Sequence, residues 1–167
     1  KLIDHTRRVG NTREAAAYTF GYNPTLAARR IHDLLSVISF VRNRETPPDV
    51  VGLVAIDRTA PLAIAARAQA RDAVDQLCVA TDGFRFASVD DIHSPLFLPG
   101  GAKYHDLPGM LAVAAPGQIY LVGQDKDKTD PLVTAAYRAA GKREAITFDS
   151  FDSVDKRIAD WFLGKGE

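Results

Sequence analysis

The sequence predicts an α/β fold, a parallel sheet of about four strands with helices on both faces. Three observations carry this expectation. Short apolar runs of strand length occur at Val50 to Ile56, Gln76 to Thr81, Gln118 to Gly123 and Arg143 to Phe148. Segments with apolar residues at helical spacing lie between and around them. The two signals alternate along the chain, and such alternation implies right-handed crossovers between parallel strands.

In chain order, residues Lys1 to Tyr22 are polar and basic, with Arg7, Arg8 and Arg13, and read as a loop plus a short helix near Thr12 to Tyr18. Asn23 followed by Pro24 resembles an N-cap with proline in the first turn. Ala27, Ile31, Leu34, Ile38 and Val41 then recur at helical spacing as far as Asn43. Glu45-Thr46-Pro47-Pro48 breaks this helix. Val50 to Ile56 is almost wholly apolar, which predicts a strand buried on both faces.

Thr59 is placed to cap the next helix, Pro61 suits its first turn, and Leu62 to Arg71 is alanine-rich. After the strand at Gln76 to Thr81 comes an irregular stretch, Asp82 to Gly109. It is rich in Gly and Pro and carries Phe84, Phe86, Phe97 and Tyr104. Ordered loops of this length often form binding walls. Leu107 to Ala114 reads as a short helix and Asp130-Pro131 opens another that Gly141 ends. Asp152 or Ser153 caps a final helix whose Val154, Ile158, Trp161 and Phe162 share one face.

A chain of 167 residues accommodates one domain with a substantial core, and two full domains are not expected. Lys plus Arg equals Asp plus Glu at 21 each, so no net field draws nucleic acid or an anionic membrane. No apolar run approaches the roughly 18 residues that span a bilayer. Cys78 is the only cysteine, which excludes an internal disulfide and a cysteine-based zinc site. Its apolar surroundings predict a small buried hydrophobe. The only methionine is Met110, so Lys1 is not read as a translation start, and an upstream segment is expected.

The order of strand, sharp turn, helix, strand, long loop, strand, acidic loop, helix, strand and amphipathic helix is similar to the C-terminal half of the α/β-hydrolase fold. Local wording adds to this in Ala27-Ala28-Arg29-Arg30-Ile31-His32-Asp33, in Thr81-Asp82-Gly83-Phe84-Arg85-Phe86-Ala87-Ser88-Val89, and in Phe97-Leu98-Pro99-Gly100-Gly101-Ala102-Lys103-Tyr104. These segments resemble bacterial acetyl-xylan-esterase and dienelactone-hydrolase-like proteins. The resemblance implies earlier strands and an ester substrate such as an acylated sugar. It also implies that an upstream segment or a dimer mate covers the apolar strand Val50 to Ile56, since an uncovered apolar edge invites aggregation. With the missing start, it points to an exported protein.

In that family the nucleophile stands on the sharp strand-to-helix turn, here occupied by Asp57 rather than serine and without flanking glycines. A carboxylate nucleophile is chemically workable, since relatives of the dehalogenase type attack carbon with one and form an ester. A histidine must then activate water to break it. The orienting acid falls at Asp125, with Asp127 second. The histidine should follow the fourth strand, yet that loop reads Asp149-Ser150-Phe151-Asp152-Ser153 and no histidine follows His105.

The residues therefore point to a catalytically degenerate hydrolase-like domain. An active ester hydrolase using Asp57 or relocated residues is the alternative, and an unrelated small-molecule-binding α/β domain a further one. Asp57-Arg58-Thr59-Ala60 contains no glycine, which argues against a phosphate-cradling loop.

Each candidate also has a plain structural role. Asp57 can cap the helix at Ala60 or pair with Arg58, and Asp125 and Asp127 alternate with lysines as in a solvated loop. Phe84, Arg85 and Phe86, after a strand end, make either a substrate wall with Arg58 or core packing. His93 and His105 share a loop with Asp90, Asp91 and Asp106, but their spacing fits no short metal-ligand motif, and no cofactor or metal is expected.

Overall fold

The structure is a computed structural model that describes residues 15–123, 129–149 and 154–163. Its elements in order are α1 (Ala16–Phe20), α2 (Leu26–Arg42), β1 (Gly52–Ile56), α3 (Ala60–Ala70), β2 (Gln76–Ala80), α4 (Asp106–Val113), β3 (Gln118–Val122), α5 (Pro131–Ala139), β4 (Ile146–Asp149) and α6 (Val154–Phe162). The four strands form one sheet in the order β1-β2-β3-β4, every pair parallel. Leu53, Leu77 and Ile119 stand in register across three strands, as do Ile56, Ala80 and Val122.

Strand order follows chain order, so the crossovers α3, α4 and α5 share one face, as their uniform handedness requires. Ala63 and Ile64 of α3, Leu107 and Leu111 of α4, and Val133 and Tyr137 of α5 pack there on Leu77, Val79, Ile119 and Leu121. Each fully buried aliphatic side chain contributes about 1.5–3 kcal/mol. The opposite face presents Cys78, Ala80, Tyr120 and Val122, and α6 covers it with Ile158, Trp161 and Phe162. Trp161 stacks on Tyr120 with centroids 5.5 Å apart, and the Tyr120 hydroxyl donates to the Asp149 carboxylate. Gly52 lets α6 sit close to the strand, because a Cβ there would displace the Phe162 ring.

Local chemistry explains the boundaries that differ from expectation. The N-cap of α2 is Thr25, whose hydroxyl accepts from the Ala28 N–H at 3.2 Å. Asn23 does not serve as the cap: its amide donates to the Thr19 carbonyl at 3.4 Å, and Pro24 stands before the capping residue rather than in the first turn. The short helix α1 begins at Ala16, and the expected cap of α6 at Asp152 or Ser153 lies outside the described residues. Residues 143–145 form a 3-10 turn, so β4 starts at Ile146. Asp130 caps α5 as expected, accepting from the Leu132 N–H at 2.9 Å, and Gly141 with φ +69° ends it.

The largest correction concerns β1. Among the described strands it forms the edge of the sheet, as the expected need for a cover implies, but it is not buried on both faces: Val54 is 49 % and Ile56 57 % exposed, as is Val50 just before it, at 57 %. Its inward side chain, Ala55, joins the core beneath α3. Val54 and Ile56 lie on the α6 face, where the Phe162 ring sits over Gly52 at the start of the strand.

The N-terminal ends of β1 and β2 are clamped by Asp75. Its carboxylate accepts from the Val51 N–H at 2.7 Å and pairs with Arg42, whose Nε donates to the Ala73 carbonyl. Burial pushes this carboxyl up, but the Val51 N–H and the Arg42 guanidinium outweigh it and hold it below the ordinary carboxylate range. A depressed carboxyl stabilises the fold above its unfolded pKa of 3.8, and that contribution is lost as pH falls below this value. We expect Asp75→Ala to cost about 1–2 kcal/mol at neutral pH, the partly exposed pair being screened by solvent. Urea midpoints of wild type and variant should converge below pH 3.8, and a constant gap down to full carboxyl protonation would contradict the clamp.

Candidate functional site

Strands of a parallel sheet end together, and ligands bind outside their C-terminal ends. The register Ile56 to Ala80 to Val122 to Asp149 therefore sets Asp57, Thr81, Gly123 and Asp149 along one edge. The chain leaves β1 through a 3-10 turn at Asp57–Thr59 and enters α3 at Ala60. Asp57 has φ +52°, a conformation that costs an L-residue about 1–2 kcal/mol and that a strand-to-helix elbow requires at its tip.

The Asp57 side chain is exposed and makes no hydrogen bond or ion pair among the described residues. It does not cap α3: the Ala60 N–H meets the Asp57 main-chain carbonyl instead. Thr59 does not cap the helix through its side chain either, since its hydroxyl donates to the Ile56 carbonyl at 2.7 Å and tightens the elbow. Arg58, next along, is exposed.

The neighbouring strand end turns as sharply. Thr81 is 3 % exposed, and Asp82 and Gly83 both have positive φ, +49° and +71°. Of the three residues read as a substrate wall, Phe86 is 4 % exposed and belongs to the core, edge-on to Phe84 at 5.2 Å. Phe84 and Arg85 are half-buried, and Arg85 folds back to donate to the Phe84 carbonyl. Phe84 and Arg85 are thus the members of that trio with surface to offer a ligand.

Asp106, which the sequence offers only as a remote metal-site candidate, holds this loop in place. It is 8 % exposed, and its carboxylate accepts from the Phe86 N–H at 2.9 Å, the Ala87 N–H at 2.8 Å and the Leu107 N–H at 2.6 Å. Tyr104, His105 and Asp106 all have positive φ, so three successive L-residues adopt left-handed backbone to aim this carboxylate. An acidic residue two before Pro108 at a helix start is the signal that could have singled it out.

Asp91 is also used locally, accepting from the His93 N–H at 2.8 Å. Among the described residues no three His, Cys, Asp or Glu side chains converge as a metal site would need. His32 and His105 are exposed and His93 is half-buried. The acid candidate Asp125 and its alternate Asp127 lie outside the described residues. No described helix is long and apolar enough to cross a membrane.

No protein-family model, no curated protein and no solved structure matches the chain. The α/β fold and the geometry at Asp57 are thus what a functional reading stands on.

Proposed function

We propose that the chain is an α/β-hydrolase-like domain of acetyl-esterase type whose nucleophile elbow survives as architecture while its ester chemistry is lost. The observation that carries this reading is Asp57, an L-residue at φ +52° on the tip of an apolar strand, with its carboxylate bound to nothing among the described residues. An elbow of this kind is energetically costly and is retained where a turn must present a side chain. The missing base decides the chemistry: without a histidine to activate a nucleophile or deacylating water, rates fall by several powers of ten.

In this reading the exposed Val54 and Ile56 of β1, with Val50 just before it, are covered by further strands of the same sheet or by a second copy. Arg58, Phe84 and Arg85 remain as a surface for a small ester or acylated sugar without turning it over. The test is hydrolysis of a chromogenic acetate. We expect turnover by the wild-type protein at the buffer rate and the same for Asp57→Asn. Hydrolysis above buffer that Asp57→Asn abolishes would establish the alternative, an active hydrolase with a carboxylate nucleophile.

A further inference from the structure

The sheet's other edge, remote from Asp57 in strand order, carries a groove of its own. Among the described strands β4 is paired on one side only, by β3. The Asp149 carbonyl is turned inward and accepts from the Gly123 N–H at 2.8 Å. Main-chain groups of successive strand residues point to alternate sides, so those of Phe148 and Ile146 are turned outward, away from β3. The side chains of the same two residues lie on the α5 face, where Ile146 packs in the core with Tyr137.

Between this edge and α5 runs a groove of about 520 Å³, with Ile146, Phe148 and Tyr137 as its apolar lining and Thr134, Arg138 and Arg143 as its polar lining. Arg138 and Arg143 are exposed, and neither guanidinium makes a hydrogen bond or ion pair among the described residues. Glu144, the acid adjoining Arg143, faces Lys142 at 3.9 Å.

Two demands therefore coincide. Outward-facing N–H and C=O groups call for another strand, and two guanidinium groups on one side of that strand call for carboxylates. An extended segment meets both, because its alternate residues, about 7 Å apart, face the same side. A free anion would answer the arginines and leave the edge unpaired. A second copy of the chain pairing through its own β4 would set arginine against arginine.

We propose that the β4 edge takes up an extended acidic segment of a partner protein as a fifth strand, its carboxylates seated on Arg138 and Arg143. The probe is a synthetic peptide, Thr-Glu-Val-Glu-Val-Glu-Thr, titrated into isotopically labelled protein. We expect amide shifts confined to residues 146–149 and the facing side of α5, and an affinity at least tenfold weaker for Arg138→Glu/Arg143→Glu. Both sites are exposed, so this double variant should keep the wild-type spectrum elsewhere. The peptide with lysine in place of glutamate should not bind. Four results would each overturn the proposal: binding unchanged by the double variant, shifts elsewhere on the protein, inorganic phosphate reproducing the peptide's shifts in full, or dimerisation of the free chain through β4.

Discussion

Asp106→Ala should destabilise the protein by about 3 kcal/mol and release the segment 84–88. The carboxylate serves three main-chain N–H groups, and the bonds to Phe86 and Leu107 are buried. Leaving a buried donor unpaired costs about 1–3 kcal/mol, whereas the Ala87 N–H, nearer the surface, recovers water. Alanine also tolerates the backbone at position 106, φ +56°, less well than aspartate does. Asp106→Asn keeps an oxygen acceptor and should lose roughly half as much. Urea denaturation gives the free energies, and amide exchange at Phe86 and Ala87 reports the segment directly. A loss under about 1 kcal/mol with unchanged exchange would mean that Asp106 does not hold the loop.

This clamp also marks the limit of what the sequence discloses. Alternating apolar runs and capped helices were enough to expect a parallel sheet with helices on both faces, because burial and periodicity are properties of neighbouring residues. Asp130 at the head of α5 and Gly141 past its end were legible for the same reason. The environment of β1 was legible only in part: its open edge was expected, the exposure of Val54 and Ile56 on one face was not. Gly52 to Ile56 has the composition of a central strand, but whether a strand is flanked on one side or two depends on elements distant in the chain. The contrast between an interior sequence and an edge position is physical: about half of each of Val54 and Ile56 meets solvent on the face that α6 covers over β2 and β3.

The site divides in a similar way. Asp57 could be found because a strand-like run ends in a helix signal, and the elbow needs only local geometry. Its φ +52° and the consecutive left-handed residues Tyr104, His105 and Asp106 had no glycine or asparagine to announce them. Phe84 and Phe86 look equivalent in the sequence, yet the Asp106 bonds to Phe86 and Ala87 turn one ring into the core and leave the other near the surface. A contact twenty residues away sorted them.

Trp161→Ala should accelerate labelling of Cys78 by a thiol reagent on the order of a hundredfold at pH 8. Cys78 is 1 % exposed and lies on the sheet face that Ile158, Trp161 and Phe162 of α6 cover. Trp161 stacks on Tyr120 and meets Phe162 edge-on at 4.9 Å, so removing its ring loosens both contacts that seat the helix. Losing a partly buried indole costs about 3 kcal/mol, and each 1.4 kcal/mol is a tenfold change in the open population through which the reagent enters. Burial also pushes the thiol up to about 12 from 9.0, because the thiolate would sit in apolar surroundings. The neutral thiol thus stabilises the fold fully below pH 9.0, and this contribution is lost as pH rises toward 12. Burial raises the Tyr137 hydroxyl as well, so alkaline unfolding should draw on both faces of the sheet. Cys78→Ala should remove the thiol's share of that alkaline loss at the cost of a small cavity. Equal labelling rates in wild type and Trp161→Ala would show that α6 is not what shields Cys78.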